Sequence, residues 1–327
     1  MLARTEVALY CRYNSLWRIV LAASSKKVIY AALIGNTLIA ITKFAAAMVT
    51  QSSAMLSEGI HSLVDTGNQA LLLYGLKRAK RPADAEFPFG HGKELYFWSF
   101  VVAILIFAVG AGVSIYEGIR HTLHPKPIGS PHVNYIVLGL AMVFEGGAWI
   151  FAWREFKKHK GHRGYLRAVR EGKDPSMFVV LFEDSAALLG LVVAFAGVLL
   201  ADLTGMLYFD GVASIVIGLI LGATAGWLAY ETKSLLIGEA ANPEVIRCIK
   251  DIAASFDEIE HVNEVLTMHM GPDYILVNLS VDFVDTATAE QLEVVIAAVD
   301  RKLKEKIPEV KRVFIEAESR SPGRRTS

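Results

Sequence analysis

Six stretches of roughly 20 mainly apolar residues constrain this chain more than any other feature. They lie at about 28–49, 53–76, 95–119, 134–153, 176–201 and 207–230. A helix of about 20 residues, rising 1.5 Å per residue, is as long as the ~30 Å hydrocarbon layer of a bilayer is thick. Composition agrees. Of 327 residues, 53% are hydrophobic and 20% charged, with a mean hydropathy of +0.40, which is too apolar for a water-soluble protein of this length. The expected architecture is an all-α, six-helix transmembrane domain in a lipid bilayer.

The links between the runs differ in charge, and that difference orients them. Arg4, Arg12, Arg18, Lys26 and Lys27 precede the first run; Lys77, Arg78, Lys80, Arg81 and Lys93 occupy the second link. The fourth link carries Arg154, Lys157, Lys158, Lys160, Arg163, Arg167, Arg170 and Lys173. The first and fifth links have no Lys or Arg, and the third has only Arg120 and Lys126. Basic links stay on the cytoplasmic side. Their alternation predicts a multi-pass protein with both termini in the cytoplasm, in the plasma or inner membrane. The early run "IVLAAS" is too short for the core of a cleavable signal, so the N-terminal segment is expected to be retained.

Beyond residue 232 the pattern becomes that of a soluble domain. "NPEVIRCIKDIAASF" and "TAEQLEVVIAAVDRKLKEK" read as helices, and "VNEVLTMHMG", "DYILVNLSVDF" and "VKRVFIEAE" as strands. The order αββαβ predicts a small, ferredoxin-like α+β domain. The expected divisions are an N-terminal cytoplasmic segment at 1–27, a transport domain at 28–231, a cytoplasmic α+β domain at 232–319 and a disordered tail at 320–327. With 33 basic and 33 acidic residues there is no net charge to attract nucleic acid, and no nucleic-acid-binding motif occurs. Cys11 and Cys248 form no CxxC pair, so neither a disulfide framework nor a thiolate metal site is expected.

Within the second run, "SEGIHSLVD" places Glu58, His61 and Asp65 three and four residues apart, on one helix face. Each ionised acid near a bilayer centre costs about 2.5–3.5 kcal/mol on insertion scales, so partners or water are required. The fifth run offers Glu183 and Asp184 in "VVLFEDSAALLG". Imidazole and carboxylates from two helices can hold a four-coordinate divalent ion. The alternative is that these acids pair with other buried polar groups, such as Lys43 in the first run or Glu145 in the fourth.

These residues resemble the cation diffusion facilitator family of divalent-metal transporters. His61 and Asp65 match its second-span HxxxD or DxxxD pair, "FGHGK" at 89–93 matches its following loop, and six spans before a cytoplasmic α+β domain match its layout. "EGIHSLVDTGNQ" and "FEDSAALLG" are similar to the branch containing the mitochondrial zinc transporter of animals. The resemblance implies a homodimer and a transport site of His61, Asp65 and Asp184. It departs at Val180, where the fifth-span pattern has a ligand four residues before Asp184. Glu183 or Glu58 is the expected replacement. In the loop, Asp84 and His91 match two positions of a second ion site. In the soluble domain, His261, His269, Glu316 and Glu318 are candidate ligands.

The function so implied is secondary transport, not enzymatic catalysis. A divalent cation, zinc by expectation, leaves the cytoplasm in exchange for protons by alternating access. Metal binds only neutral imidazole, whose unperturbed pKa near 6.5 suits proton exchange. Manganese, cobalt or iron as cargo, or a passive metal channel, are the alternatives. Glu145 is a candidate proton relay. No prosthetic group is expected, the cation being substrate. An intramembrane zinc hydrolase is disfavoured because the chain has no HExxH.

Overall fold

A computed structural model describes residues 25–125, 130–160 and 175–319. The expected disordered tail at 320–327 lies outside these residues, as do Arg4, Arg12, Arg18, Lys126 and the basic residues 163–173 of the fourth link. The described chain forms two compact units, one from residues 25–80 and 94–234, the other from 81–93 and 235–319.

The first unit is helical: α1 Ser25–Thr50, α2 Ser53–Ala79, α3 Glu94–Leu123, α4 Pro131–Lys160, α5 Pro175–Thr204 and α6 Tyr208–Ile237, whose last turn passes into the second unit. Among the described residues, four helices are long and apolar enough to cross a membrane, at Glu94–Leu123, Pro131–Arg154, Phe178–Thr204 and Tyr208–Ile237. The six expected runs are thus all helical, but four meet this criterion. The apolar part described in α1 is short, Asn36–Thr50. Glu58, His61, Asp65, Lys77 and Arg78 interrupt the hydrophobicity of α2. Large apolar side chains such as Leu140, Val143, Phe144 and Phe151 on α4 point outward, 54–72% exposed. A water-soluble fold rarely presents such a continuous apolar surface, whereas hydrocarbon solvates it.

Two local devices fix this bundle. Glycines bring α3 and α6 into backbone contact: a Cβ on Gly118 would lie 2.6 Å from the Ile215 amide nitrogen and 2.8 Å from the Gly211 carbonyl oxygen. Small residues of this kind permit the close helix approach on which packing in lipid depends. Between the two halves of α3, Ile106–Ala111 forms a π-turn in which the Gly112 amide reaches the Phe107 carbonyl, five residues back. The second device is Asp210 at the start of α6. Its carboxylate accepts from the Ser52 and Ser53 hydroxyls and from the Ser53 and Ala54 amides in the first turn of α2. A carboxylate there satisfies amides that the helix itself cannot and opposes the positive end of its dipole.

The second unit runs α7 Pro243–Ala253, β1 Ile259–Gly271, β2 Tyr274–Phe283, α8 Ala289–Lys306 and β3 Val310–Ala317, in the expected αββαβ order. The sheet order is β1-β2-β3, with β1 and β2 antiparallel and β2 and β3 parallel. Alternate residues of the central strand, Ile275, Val277, Leu279 and Val281, are buried, as strand geometry requires for one covered face. They share a core with Ile249 and Ala253 of α7 and with Val295, Val299 and Leu303 of α8, spaced at helical intervals of four. Thr288 and Gln291 form a reciprocal capping box at the start of α8. The loop 81–93 belongs to this unit. Gly92 stands so close to the Met270 carbonyl and Gly271 that a side chain there would overlap backbone.

Gly118→Val should force α3 from α6 and cost at least about 1–3 kcal/mol by overpacking. Asp210→Ala should cost about 1–3 kcal/mol by leaving the α2 amides unsatisfied. Thermal unfolding of the purified protein in detergent would measure both losses.

Candidate metal site in the helical unit

The polar stripe of α2 meets partners on three other helices. Lys43 of α1 is fully buried, and its ammonium donates to Glu58 Oε2 at 3.1 Å, Ser62 Oγ at 2.8 Å and Glu145 Oε1 on α4 at 2.8 Å. A lysine has three protons to donate, and each has an acceptor. Glu58 is therefore committed to an ion pair through one oxygen. Its other oxygen, Oε1, has no hydrogen-bond partner and abuts Gly190 of α5, where an added Cβ would overlap it.

His61 is 1% exposed, and neither ring nitrogen makes a hydrogen bond. Its Nδ1 lies 3.3 Å from Asp65 Oδ1, one turn further along α2, without hydrogen-bonding geometry. Glu183 of α5 is buried and accepts from Asn68 Nδ2 of α2 at 2.9 Å. Buried polar atoms normally find partners. The oxygens and nitrogens left over here, Glu58 Oε1, His61 Nδ1 and Nε2, Asp65 Oδ1, Asn68 Oδ1 and Glu145 Oε2, are those of groups that can bind a cation.

A cavity of about 360 Å³ opens among these helices. Asp65 and Gln69 of α2, Asn36 of α1, Glu145 of α4, and Val180 and Asp184 of α5 all line it. Of the expected transport-site residues, Asp65 and Asp184 thus face one space, while His61, Glu58 and Glu183 do not line it. Among the described residues no three of His, Cys, Asp and Glu converge closely enough to chelate an ion. Sequence reasoning offered Glu145 as a relay or as a partner of Lys43, and the pairing with Lys43 is present. Its place on the cavity wall carried no sequence signal beyond its being an acid in an apolar run.

The two outlying candidate sites are held by their own contacts. Asp84 and His91 meet, with Nε2 to Oδ2 at 2.9 Å, and Asp84 Oδ1 also accepts from the amides of Glu86 and Phe87. The His91 hydrogen bond, followed by that from the Phe87 amide, holds the Asp84 carboxyl below its ordinary pKa. Phe87 lies against the imidazole at 4.6 Å between ring centres, and Gly90 takes φ 82°, a turn conformation open to glycine. In the soluble unit His261 and His269 are eight residues apart on β1, about 27 Å by strand rise. The Ser280 hydroxyl donates to Glu318 at 2.8 Å, and Glu316 is exposed. The structure brings Asp84 to His91, but does not gather the four soluble-domain candidates.

Comparison with known proteins identifies the family of the chain. Residues 29–237 match the cation efflux transmembrane domain. The proton-coupled zinc antiporter SLC30A9, mitochondrial, of Xenopus laevis is 36% identical over 259 residues, which cover 79% of this chain and 46% of that protein. Its Homo sapiens counterpart is 32% identical over the same shares. The chain thus spans about half the length of these curated relatives. The manganese efflux system protein MneP of Bacillus subtilis is 23% identical over 301 residues, 89% of this chain and 95% of that protein. With this domain over most of the helical unit and relatives above 30% identity, the chain belongs to the cation diffusion facilitator family, a family of membrane transporters and not of enzymes.

Proposed function

We propose that this protein is a secondary transporter that exports a divalent transition-metal cation, zinc first, from the cytoplasm in exchange for protons. The observation that carries the reading is the cavity lined by Asp65 of α2 and Asp184 of α5. Two carboxylates from different helices can hold a cation between them and release it when the helices shift, which is what alternating access requires. His61, beside Asp65 with both nitrogens unpartnered, is the third ligand in this reading. Glu183 or Glu58 completes the set, after exchanging Asn68 or Lys43 for the cation. Protons and metal compete for the same lone pairs, so each turnover in one direction carries protons in the other. Glu145, joining Lys43 to the cavity, is the proton relay.

The rest of the reading follows from charge and family. All six helices span the membrane, α2 being sheltered by its neighbours, with both termini cytoplasmic because the basic links lie on one side. The domain limits are 28–231 for transport and 232–319 for a ferredoxin-like cytoplasmic unit, through which the protein forms a homodimer. The plasma or inner membrane is the proposed location, with a mitochondrial membrane second because the relatives' names include that word. Asp84 with His91 is a secondary cation site in this proposal. Manganese is the second cargo reading. The polar groups of the otherwise apolar cavity wall are oxygen-bearing, Asp65, Asp184, Glu145, Asn36, Gln69 and Ser62, and oxygen ligands suit manganese better than zinc.

Purified protein in sealed vesicles should take up zinc faster against an opposing pH gradient, with proton flow in the opposite direction. Metal flux without proton movement would instead identify a channel. Asp65→Ala and Asp184→Ala should each reduce uptake to the level of empty vesicles, and unchanged uptake would place the site elsewhere. In the same vesicles, competition among zinc, manganese, cobalt and iron should rank zinc first; manganese first would favour the second cargo.

A further inference from the structure

The family pattern leaves one position of the cavity wall without a ligand, because Val180 has only carbon to offer. The two acids expected to replace it are occupied or screened. Glu183 accepts from Asn68 and does not line the cavity. Glu58 is bound to Lys43, and its remaining oxygen faces Gly190 of α5, not the cavity. Glu145 differs from both. It lines the cavity together with Asp65 and Asp184, and only its Oε1 is held by Lys43, at 2.8 Å. Its Oε2 is buried and has no hydrogen-bond partner.

We infer that Glu145 is a cargo-binding carboxylate of this cavity, taking the place on α4 that Val180 leaves empty on α5, with Lys43 holding it in position. The inference rests on the transport reading above and changes two of its assignments: Glu145 takes the place given there to Glu183 or Glu58, and is a ligand in place of a relay. One ammonium faces two carboxylates, Glu58 and Glu145, and in this inference the Glu145 oxygen that Lys43 does not reach turns to a divalent cation in the cavity. Lys43 fixes the carboxylate from behind, as the outer partners of metal-ligating groups do in other sites. Cargo binding then joins α4 to α2 and α5 as a third wall. A further carboxylate enlarges the oxygen share of the site, so Glu145 bears on manganese more than on zinc.

The test uses the full chain in detergent and in sealed vesicles, with Zn2+ and Mn2+ alone as probes. Equilibrium binding and initial uptake rates are measured for the parent protein, Glu145→Gln, Glu145→Asp and Asp65→Ala. Glu145→Gln should raise Kd and KM about 10-fold or more, the size of effect typical of groups around a metal site, with the larger change for Mn2+. Unchanged Kd and KM for both ions, with binding lost in Asp65→Ala, would overturn the inference and leave the transport reading intact. Binding retained in Asp65→Ala as well would overturn both. If Glu145→Gln does not yield monodisperse protein, Glu145→Asp decides. It keeps a charge for Lys43 but shortens the reach into the cavity, so weaker binding supports a cargo role and parent-like binding excludes it.

Discussion

Lys43 is the group on which the arrangement of the first unit depends. An ammonium buried in a helical bundle, with no water to share its charge, must be met by acceptors at every proton, and the three here come from α2 and α4. Removing one side of a buried ion pair costs about 3–5 kcal/mol in proteins generally. That magnitude exceeds what any single apolar contact in the same helices supplies. The pairing therefore sets how α1, α2 and α4 stand around the cavity, and it leaves one oxygen of Glu145 without a hydrogen-bond partner.

Much of the fold was legible in the sequence because a few strong physical signals mark it. All six apolar runs became helices, and the αββαβ order of the second unit followed from the period-two burial of β2 and the period-four burial of α8. The polar stripe of α2 was visible in the sequence, and it is why hydropathy alone does not mark that helix as a span. The π-turn in α3 and the Asp210 cap, by contrast, were invisible. The first changes hydrogen bonding without requiring a special residue, and the second joins residues more than 150 positions apart.

The candidate site was legible in part, for a reason tied to helix geometry. Spacing of three and four on α2 indicates that Glu58, His61 and Asp65 share a face, but a face is broad enough to have some residues turned toward a cavity and others toward a neighbouring helix. Asp65 does the former, whereas Glu58 turns to Lys43. Glu183 and Asp184, adjacent in sequence, diverge by about 100° around α5, so one meets Asn68 and the other the cavity. Which acids face each other across helices depends on the rotation of each helix about its axis, and no single run of sequence encodes that.

The π-turn at Ile106–Ala111 has a consequence for how α3 relates to its own sequence. A π-turn behaves as one residue inserted into an α-helix, so side chains after it are rotated by roughly 100° from where uninterrupted winding would carry them. Gly118 owes its approach to Ile215 to that offset. The same residues wound without the π-turn would turn Gly118 about 100° away from α6, whereas a helix one residue shorter and without the π-turn would keep it on the seam. The length of α3 between its two halves is therefore as much a determinant of the α3–α6 seam as the glycines that form it.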